Sequence, residues 1–161
     1  MSYEIVVGVD GSPASVAALS WSLDQAVCRA GEVTALLAWQ QPVLSAPGAF
    51  DHQQLEVAYR DLLVKTVRQV EPAPEIQVRT VLAEGDPAQA LAGAARRADV
   101  LVLGVDGRRP LAGRALGPVS GACGVIAPCP VVLVKGPVEP GDGADLGPPT
   151  LSPRPRGRSR R

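Results

Sequence analysis

The segment from Gly104 to Ser120, GVDGRRPLAGRALGPVS, holds the residues in this chain best suited to chemistry. Gly104 and Gly107 permit a sharp turn and a close backbone approach to a ligand. Arg108, Arg109 and Arg114 supply the charge and the donor forks that a phosphate attracts. Gly117 stands at the mouth of a helix that Pro118 opens. The unpaired N–H groups and the dipole of such a first turn, here around Val119 and Ser120, favour an anion. An exposed basic turn has the same composition, so the physics of this segment leaves both readings open.

Other reactive side chains carry less. Asp10 follows Val9 at the end of an apolar run, where an Asx residue builds turns and a carboxylate also meets ligands. His52 is the only histidine and has no Ser or Cys nucleophile motif beside it, so it reads as a surface residue. Ser12 precedes Pro13 with no nucleophile elbow around it, which is the pattern of a helix cap. Cys28, Cys123 and Cys129 are odd in number and lack metal-ligand spacing, so they read as small buried apolar residues. With no general base, metal cluster or activated nucleophile, catalysis beyond a slow ATPase is not indicated.

The elements that must position these residues alternate between strand and helix. Ile5–Val9 is a continuous apolar run, as expected of a strand buried on both faces. Ser12 and Pro13 then start a helix in which Val16, Leu19, Leu23, Ala26, Val27 and Ala30 form an apolar face, and Gly31 closes it. Val33–Trp39 is a second strand, 40–50 a long loop, and Leu55 to Val70 a second helix ended by the Glu71-Pro72-Ala73-Pro74 break. Ile76–Leu82 is a third strand, followed by Asp86 as cap and Pro87 at the head of an Ala-rich helix over 88–98. Val100–Leu103 is a fourth strand, 118–127 a short helix, and Val131–Val134 a fifth strand. This alternation predicts right-handed crossovers and a parallel sheet with helices on both faces. Ligands of such sheets bind at the carboxyl ends of the strands.

The 161 residues suffice for one domain, expected over 1–136. Residues 137–161 are rich in Pro, Gly and Arg and nearly without apolar side chains, and are expected to be a disordered tail. Aromatic residues make up 3%, so the core must be aliphatic. The formal charge is zero, with 11 Lys and Arg against 13 Asp and Glu before residue 137 and 5 Arg against 3 acids after it. That balance gives no reason to expect nucleic acid or an anionic membrane as partner. No apolar run approaches the ~20 residues of a membrane span, and the N-terminus lacks the features of a signal peptide. A cytoplasmic protein is expected.

Against this frame the chain resembles the universal stress proteins. Gly104-x2-Gly107-x9-Gly117 matches the Gly-x2-Gly-x9-Gly-[Ser/Thr] pattern of the nucleotide-binding subgroup, and Pro118 departs from it at the hydroxyl position. IVVGVDGSPAS at Ile5, EGDPA at Glu84 and APCPVVLV at Ala127 are further hallmarks, in the family's order over residues 3–135. The resemblance implies an open five-stranded parallel sheet of order 3-2-1-4-5, an adenine-nucleotide hydrolase-like fold, and a homodimer through Val131–Val134. It implies that ATP or AMP is held by Val9, Asp10, Trp39 (mainly through its backbone), Gly104, Gly107, Arg108, Arg109, Gly117, Val119 and Ser120, with Mg accompanying ATP. Proline has neither a hydroxyl nor an N–H, so Pro118 withdraws two donors from the phosphate. Asp106, between the first two glycines, would repel a phosphate. A nucleotide-free dimeric interaction protein of the same fold is the alternative.

Overall fold

The computed structural model describes residues 2–41, 51–106 and 117–137. Five strands and four α-helices alternate along them: β1 (Glu4–Gly8), α1 (Pro13–Arg29), β2 (Glu32–Trp39), α2 (His52–Gln69), β3 (Val78–Glu84), α3 (Pro87–Ala94), β4 (Val100–Val105), α4 (Pro118–Ile126) and β5 (Val131–Lys135). A short 3-10 turn, Ala95–Arg97, extends α3. The strands form one parallel sheet of order β3-β2-β1-β4-β5. Val7 in the central strand stands level with Ala35 of β2 and Val102 of β4.

The pleat sends alternate side chains to opposite faces, and each face builds its own aliphatic core. Ile5, Val7, Val33, Ala35, Leu37 and Val102 pack under α1 and α2 against Leu19, Leu23 and Leu63. Val6, Leu36, Leu101 and Leu103 pack on the other face against Leu91 of α3 and Cys123 of α4. Burial on both faces explains why the central strands read as unbroken apolar runs.

Proline occupies the first turn of three helices, where its missing N–H costs no bond and its fixed φ suits the helix. The preceding residue caps two of them. Ser12 Oγ accepts the Ser15 N–H at 3.2 Å, and Asp86 Oδ1 accepts the Gln89 N–H at 2.9 Å. At α4 that place belongs to Gly117, which has no side chain to offer.

Several boundaries and roles differ from the sequence reading. The buried face of α1 is Ser15, Ala18, Leu19, Ser22, Leu23 and Ala26, while Val27 is 53% exposed and Ala30 is exposed. The left-handed residue ending α1 is Ala30, at φ 50°, not Gly31. Gly31 is needed for another reason, since a Cβ there would lie 2.4 Å from the Tyr3 carbonyl oxygen. Strand β3 begins at Val78, because the Ile76 N–H closes a turn onto the Ala73 carbonyl at 2.9 Å. Strand β4 continues through Gly104 to Val105. Among the cysteines, Cys123 is buried and Cys129 half-buried, but Cys28 is exposed near the end of α1. Gly107, Arg108, Arg109 and Arg114, most of the 40–50 loop and the tail from residue 138 lie outside the described residues.

Candidate functional site

The strand order reverses beside β1, between its neighbours β2 and β4, and a crevice opens there at the carboxyl ends of the strands. A cavity of about 290 Å³ fills it. Its floor is apolar: Leu36 and Ala38 of β2, Leu103 of β4 and Leu91 of α3, with Gly8 of β1 among them. A Cβ on Gly8 would press within 2.8 Å of Leu103, so the bare glycine keeps this floor low.

The β1–α1 turn makes a polar rim of Asp10, Ser12 and Ser15. Asp10 Oδ1 accepts the Ser12 N–H at 2.9 Å, and the Ser15 hydroxyl donates to the Ser12 carbonyl at 2.9 Å. The Asp10 N–H in turn donates to Ser15 Oγ at 3.4 Å. Burial by itself would raise the Asp10 carboxyl, but hydrogen bonds from Ser12, joined by Ser15, outweigh it and hold the group below its ordinary value. The rim therefore carries a negative charge at neutral pH, and the carboxylate keeps acceptor capacity for a ligand hydroxyl.

The opposite wall is the first turn of α4, with Val119 and Ser120 lining the cavity. Gly117 caps this helix with no side chain, and a Cβ on it would meet nothing within 4 Å among the described residues. Among the described residues no side chain caps this turn, so its N–H groups give the α4 wall positive electrostatic character. The donor set of this turn suits a phosphate better than a metal ion.

Of the expected site residues, Val9, Asp10, Gly104, Val119 and Ser120 line this one cavity, and Gly117 adjoins it. Trp39 does not line it. Its side chain points to the other face of the sheet, stacked on Tyr59 at 5.5 Å between ring centres and tilted against His52 at 5.1 Å. The Trp39 carbonyl accepts the Gly85 N–H at 2.9 Å, and Ala38 is the β2 residue that meets the cavity. His52, read as a bland surface residue, bonds Glu84 at 3.1 Å and so ties the start of α2 to the end of β3. Asp106 is exposed just past β4.

Gly104 lines the cavity, but the close approach it permits is to the protein itself. A Cβ there would lie 2.3 Å from the Ala14 carbonyl oxygen and 2.7 Å from the Ser15 nitrogen, so the glycine admits α1 onto β4. Gly8, Ser12, Ser15, Leu36, Ala38, Pro87, Leu91 and Leu103 were not anticipated as lining residues. Ser15 was legible in principle, as a serine on the buried face of α1 in the first turn, next to the carboxyl end of β1.

Fold and crevice together define an open parallel α/β protein with a cavity at its switch point. The family model of the universal stress protein family matches residues 1–135, and the chain belongs to that family. A universal stress protein of Mycobacterium tuberculosis is 32% identical over 132 residues, covering 81% of this chain and 45% of the relative. The chain thus spans about half the length of the curated relatives it matches. Several solved structures share the fold. A universal stress protein in complex with cAMP superposes with TM-score 0.59 at 22% identity, over 84% of this chain and 98% of the other. An Arabidopsis thaliana family member with AMP bound has TM-score 0.54 at 21% identity, over 92% and 97%. Among the described residues no helix is long and apolar enough to cross a membrane.

Proposed function

We propose that this chain is a regulatory module that binds an adenine nucleotide in the crevice beside β1. The observation that carries the proposal is the composition of one cavity: an apolar floor, a charged carboxylate on one rim and an uncapped helix mouth on the other. A base, a ribose and a phosphate need those three surfaces in that order. Leu36, Ala38, Leu91 and Leu103 would meet the base, Asp10 a ribose hydroxyl, and the Val119–Ser120 turn the phosphate. The relatives crystallised with cAMP and AMP support the same reading. ATP is the alternative ligand, with Mg beside its phosphates and the Ser120 hydroxyl as a ligand from α4.

The volume favours the smaller nucleotide, since about 290 Å³ falls just below the ~300–1,000 Å³ usual for ligand pockets. Pro118 favours it too, because a first helical turn that lacks one N–H suits a single phosphate better than three. Nucleotide would act by biasing a homodimer through Val131–Val134 or a partner surface of a stress response. The nucleotide-free interaction module is the second reading, favoured by that same loss of a donor.

The test is nucleotide extracted from denatured protein, followed by calorimetric titration of wild type and Pro118→Ser with AMP, ADP and ATP. Wild type should bind AMP at least as tightly as ATP. Pro118→Ser restores an N–H and a hydroxyl beside Gly117, which should tighten ATP by about tenfold. Protein that purifies free of nucleotide and shows no heat with any of the three, in either form, selects the interaction module.

A further inference from the structure

The rim of the cavity is held in place from an unexpected direction. Helix α1 begins in a notch made by two glycines, one on β4 and one just past the end of β5. Gly104 of β4 lies under the Ala14 carbonyl, and Gly136, immediately after β5, lies under the Ala14 Cα and Cβ. A Cβ on Gly136 would stand 2.9 Å from both of those atoms and 3.3 Å from the Ala14 nitrogen. Gly136 is itself fixed, buried, with its N–H donating to the Val105 carbonyl at 2.8 Å. It is one residue beyond the segment that the family model matches.

Ala14 sits between Ser12 and Ser15, so whatever seats Ala14 also sets the rim. The Ser15–Ser12 hydrogen bonds and the Asp10 N–H to Ser15 Oγ bond bridge across Ala14, and the Ser12 N–H in turn holds the Asp10 carboxylate. Displacing the first turn of α1 by a few tenths of an ångström would move all three rim residues relative to a floor and an α4 wall that stay put. We infer that Gly136 is a positioning residue for the crevice: with Gly104 it seats Ala14 and thereby sets the Asp10–Ser12–Ser15 rim against the ligand. The role in ligand binding rests on the nucleotide reading above, whereas the seating of the rim does not.

The test uses the full chain with Gly136→Ala, and two measurements. Amide hydrogen exchange on nucleotide-free protein reads the rim directly. The Ser12 and Ser15 amides should exchange at least about tenfold faster than in wild type, while amides of β2, β3 and α2 keep their rates. Titration with AMP, well below the melting transition, should show a loss of about tenfold or more, since small misplacements of a site are expensive. Ala14→Gly in the Gly136→Ala background removes one of the two crowded atoms and should recover part of both effects. A purely structural glycine would lower the melting temperature and leave affinity, measured on fully folded protein, unchanged.

Unchanged exchange at Ser12 and Ser15 overturns the proposal whatever the titration gives. Faster exchange with unaltered AMP affinity also overturns it, because the rim would then not be what the ligand feels. Wild type that binds no nucleotide refutes the nucleotide reading, and the exchange rates still decide whether Gly136 seats the rim. Should Gly136→Ala not fold, Ala14→Val presses the same contact from the helix side and is read by the same two measurements.

Discussion

Asp10 joins stability, charge and ligand chemistry in a single side chain. Its carboxyl is held below the ordinary value because the hydrogen bonds from Ser12 and Ser15 outweigh the cost of burial. A folded-state value lower than the unfolded one stabilises the protein fully above the unfolded value, and that contribution disappears as pH falls through the folded value. Asp10→Asn removes the titration. Its melting temperature should therefore decline less steeply than that of wild type as pH is lowered through the carboxylate range, and the two curves should converge in acid. At neutral pH the same variant should bind adenosine and AMP about tenfold more weakly, since a charged acceptor is replaced by a neutral amide. Parallel melting curves with unchanged affinity would show that Asp10 only shapes the turn. This residue illustrates how a sequence motif can be ambiguous yet informative: the turn role and the ligand role turn out to be the same geometry, because the turn holds the carboxylate at the cavity rim.

At the scale of elements, the strand–helix alternation and the capping prolines were legible because local physics decides them. Strands buried on both faces leave continuous apolar runs, and Ser12-Pro13 and Asp86-Pro87 satisfy the first turns of α1 and α3 directly. Side-chain direction at a strand end was not legible. Trp39 falls at the end of β2 as expected, but the pleat turns its ring to the α2 face and gives the cavity Ala38 instead. A period-two pattern cannot tell which face is which when both are apolar. The glycines likewise misled: Gly31 looked like a helix cap and Gly104 like a ligand-facing residue, whereas they are demanded by contacts with Tyr3 and Ala14, far apart in sequence. The Trp39 placement has its own test. Trp39→Ala should cost roughly 3–5 kcal/mol in denaturant unfolding, the usual range for deleting a buried large aromatic. Trp39→Phe, which keeps an aromatic face for Tyr59, should bind AMP within about threefold of wild type in calorimetry. A much larger loss of affinity in Trp39→Phe would put the indole in the site.

At the scale of the whole molecule the sheet order β3-β2-β1-β4-β5 places β5 at one end, with no further strand beside it among the described residues. The Leu101 N–H bonds to the Pro130 carbonyl and the Gly136 N–H to the Val105 carbonyl. Alternation in a parallel ladder then turns the Val132 and Val134 N–H groups toward β4 and those of Val131, Leu133 and Lys135 outward. Beside this edge, on α4, Val125 is 84% exposed and Ile126 39% exposed. An apolar edge with outward-turned donors invites pairing, and a second copy related by a two-fold axis would satisfy it with the same residues from both sides. The ladder pattern chooses the variants. Val132→Pro would break the bond to β4 and unfold the monomer's own sheet, so it cannot report on assembly. Lys135→Pro removes only an outward donor, and Val125→Lys adds charge at an exposed position that the single chain does not need. Both proteins should keep the wild-type circular dichroism spectrum and a melting temperature within a few degrees of wild type measured as monomer. In sedimentation velocity, wild type should run as a dimer, and each variant should shift toward monomer at the same concentration, most strongly when the two are combined. A combined variant that still sediments as a stable dimer would move the interface away from β5 and α4.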